Sequence, residues 1–168
     1  MNPYIKHILI FLAYAFFQIF LLNELIVAQV ATSFVFLLFL LMLPLNIPSW
    51  ALYLIAFSTG LVIDFFSYTD ANGIHAFSCL LMMGAREFWI GFITASSYRT
   101  VGEVSFENQN LLWYAIYLLP LIFVHHFAYF FLEAFGMQNF LITLLKIFTS
   151  TIYTFVLCFL LCTVFYKK

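Results

Sequence analysis

Charge is what this sequence has least of. Asp, Glu, Lys and Arg together make up 8% of its 168 residues, where a soluble domain carries about 25%. So few polar groups cannot cover a globular surface in water, which excludes a soluble fold and makes lipid the solvent for most of the chain. Six Lys and Arg and a net charge of −1 leave no basic footprint for nucleic acid. Alternation of polar and apolar residues is also missing, which excludes a transmembrane β-barrel. The motifs of intramembrane chemistry are absent too. There is no Gly-x-Ser-Gly protease motif, no His-x-x-x-x-Asp acyltransferase spacing and no His-Glu-x-x-His zinc motif. The expectation is a non-enzymatic protein without cofactor or metal. Cysteine is scarce, and Cys79, Cys158 and Cys162 all lie inside apolar runs. Cys158 and Cys162 share a helix face, which leaves a metal or redox pair conceivable, but small packing residues are the simpler reading.

What the chain does have is long apolar runs. Hydrophobic residues make up 66% of it. Six stretches stand out, at about 4–22, 26–43, 50–68, 74–96, 111–135 and 140–166, each near the roughly 20 residues that a helix needs to cross hydrocarbon. No small-x-small cleavage site ends the first, so it reads as a retained span that also directs insertion. Pro44 to Pro48 breaks the chain after the second stretch, because proline cannot continue a helix. Thr69 to Gly73 is a turn by composition. The predicted fold is all-α: a single polytopic membrane helical bundle of six transmembrane helices. With six crossings, Lys6, Arg99, Lys167 and Lys168 fall on one side, which places both termini in the cytoplasm by the positive-inside rule.

A few ionisable residues lie where lipid tolerates them poorly: Asp64, Arg86, Glu87, His125, His126 and Lys146. A charge at mid-span costs about 2.5–3.5 kcal/mol on insertion scales, so each needs a partner or a wet cavity. Either a functional site or structural ion pairs follow from that. Asp64 and Lys146 lie at similar depths, about 6 and 9 Å below the same membrane face, and form the expected pair. Arg86 and Glu87 are neighbours and point about 100° apart, so they cannot serve one partner helix. His125 and His126 diverge in the same way and cannot share a metal from one face. Ala56, Gly60 and Asp64 share a face, where small residues let another backbone come close.

The stretch from Leu41 to Arg86 resembles the MreD family of bacterial rod shape-determining membrane proteins. The likeness lies in the Pro-bounded turn, in Gly60-Leu61-Val62-Ile63-Asp64, and nine residues later in Gly73-Ile74-His75-Ala76. The sequence departs from the family's pattern in lacking an Arg-Pro pair near Val27 to Thr32 and in having Glu87 after Arg86. The resemblance implies a fold like the substrate-binding component of energy-coupling-factor transporters. It also implies a scaffold role in cell-wall elongation at the bacterial cytoplasmic (inner) membrane. The implied partners are membrane lipid, an MreC-like protein, an MreB-like filament protein, and a transpeptidase and glycosyltransferase of wall synthesis. Gly60, Asp64, Gly73 and His75 would then shape the loop after the third span. Asp70, Gly73 and His75 mark an outer loop for a periplasmic-facing partner, and Arg99 and Glu103 mark a cytoplasmic loop for the filament protein. The alternative class is a small-molecule-binding membrane component of a transporter, with Asp64, Arg86, Glu87, His125 and Lys146 lining its cavity.

Overall fold

The computed structural model describes residues 3–22, 27, 30–45, 47–67, 73–93, 110–134 and 139–165. Apart from one isolated bridge, its regular structure is helical: α1 (Pro3–Phe17), continued by a π-helical turn (Gln18–Leu22), α2 (Leu37–Leu41), α3 (Ser49–Phe66), α4 (Ile74–Ile93), α5 (Leu111–Glu133) and α6 (Phe140–Phe165). Four of these, α3 to α6, are long and apolar enough to cross a membrane. Their 18 to 26 residues rise about 27–39 Å, against a hydrocarbon core of about 30 Å. The fold is a membrane helical bundle, with α1 as a shorter apolar helix beside the four. From α3 to α6, helices consecutive in sequence pack against each other: α3 on α4, α4 on α5 and α5 on α6. Many of the outward side chains are large and apolar, among them Phe65, Phe88, Phe92, Leu141 and Val164, as a lipid-facing surface requires.

The second predicted span is where the structure departs. Among the described residues of 26–43 no long helix forms. Thr32, Ser33 and Phe34 have no regular structure, a turn follows, and of the described residues five, Leu37–Leu41, are helical. All of 33–43 is buried. This segment enters beside the start of α4, where the Phe34 ring lies 4.8 Å from that of His75. It leaves beside Arg86, which binds the Leu43 carbonyl. From His75 to Arg86 is about 16 Å of helix rise, so the chain travels that far through the inside of the bundle without facing lipid. Irregular backbone at membrane depth is tolerated only when protein surrounds it and supplies its hydrogen bonds.

Capping and close approach set the remaining elements. Asn110 precedes α5 and its side chain accepts the Trp113 amide at 2.7 Å, one of the donors that a helix start leaves free. Pro120 lies inside α5 and has no N–H for the carbonyl of Ile116 one turn earlier. The Trp89 indole of α4 fills that place, donating to the Ile116 oxygen at 3.1 Å. The proline therefore ties α5 to α4 where it would otherwise expose a bare carbonyl.

Candidate functional site

Polar side chains inside the bundle gather around the buried segment and the α3–α4 joint. The joint starts from Gly73, whose φ of +98° suits glycine and whose missing side chain leaves the start of α4 without a cap of its own. Asp64 of α3 supplies one. Its two carboxylate oxygens accept the amides of His75 and Ala76 at 2.9 and 3.0 Å. A carboxylate at a helix N-terminus also meets the positive end of the helix dipole. Gly60, one turn earlier on α3, makes room for this. A Cβ on it would stand 2.5 Å from the Ala76 nitrogen and 2.8 Å from the His75 carbonyl carbon. Gly60, Asp64, Gly73 and His75 thus meet in one joint. The expected Asp64–Lys146 pair is absent, because Asp64 is 2% exposed and already engaged with backbone. Lys146 instead lies 3.6 Å from Glu133 near the end of α5, with its ammonium over the Phe130 ring.

The second constellation holds the end of the buried segment. Arg86 is buried, and its Nε donates to the Tyr117 hydroxyl at 2.8 Å while a terminal nitrogen donates to the Leu43 carbonyl. The Tyr117 hydroxyl in turn donates to the Leu41 carbonyl at 2.7 Å. These are carbonyls that the short α2 leaves without helical partners. Glu87, the next residue, points outward. It is exposed, and the Tyr53 hydroxyl of α3 donates to its Oε2 at 2.8 Å. The divergence expected of Arg86 and Glu87 is what the structure shows.

The third constellation surrounds the start of the segment. The Gln18 amide donates to the Ser33 carbonyl at 2.9 Å and its oxygen accepts the Val35 amide at 2.8 Å. Ser150 accepts the Thr32 amide at 3.1 Å, and Thr154 accepts that of Phe34 at 3.0 Å. Two helices therefore replace the hydrogen bonds that an α-helix would have made for itself. Around the Phe34 ring stand His75, His125, His126 and Tyr129, with ring centroids 4.8, 5.6, 5.1 and 4.9 Å away. His126 is satisfied by the Ile122 carbonyl at 2.9 Å and the Thr154 hydroxyl at 3.1 Å. Both ring nitrogens of His125, Nδ1 of His75, and the hydroxyls of Thr32, Ser33 and Thr151 are buried without a hydrogen-bond partner among the described residues. A buried polar atom left so costs about 1–3 kcal/mol.

Among the described residues no group of three His, Cys, Asp or Glu side chains is placed to hold a metal. Cys158 and Cys162 are buried free thiols on α6. Asp70, Arg99 and Glu103 lie outside the described residues. The sequence reading missed Gln18, Tyr53, Tyr117, Ser150 and Thr154. An amide in the middle of an apolar run was the available signal for Gln18. The tyrosine and hydroxyl residues carry no charge and so drew no attention. No family model, curated protein or solved structure matches this chain.

Proposed function

We propose that this chain is a non-enzymatic membrane scaffold of the MreD kind, a subunit that links an MreC-like protein, an MreB-like filament protein and wall-synthesis enzymes in cell-wall elongation. One observation carries the reading. The residues of the family-like pattern, Gly60, Asp64, Gly73 and His75, form a single helix joint in which each has a physical task. The pattern is thus a determinant of a fold, which supports reading the resemblance as more than chance likeness in apolar sequence. The intramembrane charges also favour a scaffold. Asp64 and Arg86 hold backbone in place, and neither is free to carry a substrate. In this reading both termini are cytoplasmic, the 97–110 loop receives the filament protein, and the turns at 69–75 and 133–139 face the periplasmic side.

The rival is the small-molecule-binding component of a transporter. The unpartnered polar atoms around Phe34 are what favours it. Deletion of the gene in its own bacterium, with photo-cross-linking from positions 70 and 137 in native membranes, separates the two. A scaffold gives rounded cells and a cross-link to a single-span MreC-like protein. Unchanged cell shape, no such cross-link, and retention of a small molecule by the purified chain would instead establish the transporter component.

A further inference from the structure

An open apolar groove runs along the lipid-facing side of α4, with a volume of about 630 Å³. Tyr53 of α3, Phe77, Leu81 and Gly84 of α4, and Phe123 and Phe127 of α5 line it. Acyl chains wet any such groove in a bilayer. What sets this one apart is the carboxylate at its end. Glu87 lies one helical turn beyond Gly84, is exposed, and accepts the Tyr53 hydroxyl at 2.8 Å. That hydroxyl also lies 3.7 Å from where a Cβ on Gly84 would stand, so one side chain joins the groove wall to the carboxylate.

The level is informative as well. α3 begins at Ser49, and Tyr53 is about 6 Å along it. Trp50, the next residue in, is 72% exposed, as an interfacial aromatic is. Glu87 lies about 9 Å in from the end of α4 at Ile93, below the level of Trp50, and from there to Phe77 the groove runs about 15 Å along α4 past the middle of the membrane. The Glu87 carboxylate meets the hydroxyls of Tyr53 and Ser49 and feels the neighbouring Arg86 through space, but no described basic side chain hydrogen-bonds to it. Arg86 is bound to Tyr117 and Leu43, and Lys146 lies beside Glu133. A carboxylate facing lipid is costly unless a cation meets it.

We propose that this groove and Glu87 form a binding site for a phospholipid with a primary-ammonium headgroup. The ammonium donates hydrogen bonds to the Glu87 carboxylate, and one acyl chain lies along Gly84, Leu81 and Phe77. A primary ammonium brings three N–H donors, whereas a quaternary one brings none and a glycerol headgroup brings no positive charge. This site is independent of the partner assignment above.

Native mass spectrometry of the purified full chain tests it. The protein is released from mixed micelles holding equal amounts of phosphatidylethanolamine, phosphatidylcholine and phosphatidylglycerol. The site predicts a retained phosphatidylethanolamine favoured roughly fivefold over each of the other two. Glu87→Gln brings that ratio to about one, and Gly84→Leu, which fills the groove, lowers retention of phosphatidylethanolamine. Gly91→Leu, on the same helix in open space, leaves both unchanged. Equal retention by the unaltered protein overturns the proposal. So does a preference that survives Glu87→Gln, or one unaffected by Gly84→Leu in a variant whose thermal unfolding is unchanged.

Discussion

At the scale of single residues, the bundle uses its rare polar groups to complete backbone. Asp64 is the clearest case, since its two acceptors meet two amides that Gly73 cannot cap. Asp64→Asn keeps one acceptor but turns an amide N–H toward a backbone N–H. It should lower stability by about 1.5–3 kcal/mol, measured as detergent or thermal unfolding of the purified chain. Gly60→Ala drives a methyl into the Ala76 backbone, and an overpacked contact of this kind costs about 1–3 kcal/mol or more. The two histidines should behave unlike each other. His126 bridges Ile122 and Thr154, so His126→Phe destabilises by about 1 kcal/mol or more. Both nitrogens of His125 lack hydrogen-bond partners among the described residues, so His125→Phe leaves stability unchanged or raises it. If the histidine variants lose equal stability, the account of that cluster is wrong.

At the scale of elements, α3 to α6 were legible in the sequence because lipid demands continuous apolar runs of a definite length. The expected 111–135 and 140–166 became Leu111–Glu133 and Phe140–Phe165. The second span was not legible. A segment buried on all sides is apolar on all sides, so its composition cannot distinguish helix from irregular chain. The distinction rests on Gln18, Ser150 and Thr154, which lie on other elements and far away in sequence. Depth matching misplaced Asp64 for a related reason: it compared charged side chains only, and the true partners were amides. The α4–α5 contact allows a cycle. Trp89→Phe removes the donor to the Ile116 carbonyl and should cost about 1–2 kcal/mol. Pro120→Ala restores an N–H to that carbonyl, so the Trp89→Phe loss should largely vanish in the Pro120→Ala background. Equal losses in both backgrounds would show that the indole matters for packing alone.

At the scale of the whole molecule, a membrane bundle has folded around a stretch of its own irregular chain. Arg86 and Tyr117 grip one end of it, and Gln18, Ser150 and Thr154 the other. Among the described residues this arrangement fills the interior with protein, which is what the proposed scaffold reading requires. A transport component would instead require that interior to open to water. Amide hydrogen exchange of the chain in lipid bilayers separates these directly, read at Thr32, Phe34 and Val35. The account predicts slow exchange at all three, with Gln18→Leu speeding Val35 and Thr154→Val speeding Phe34 while α3 to α6 stay protected. Fast exchange at these amides in the unaltered protein, with α3 to α6 still protected, would contradict it and show a water-filled interior.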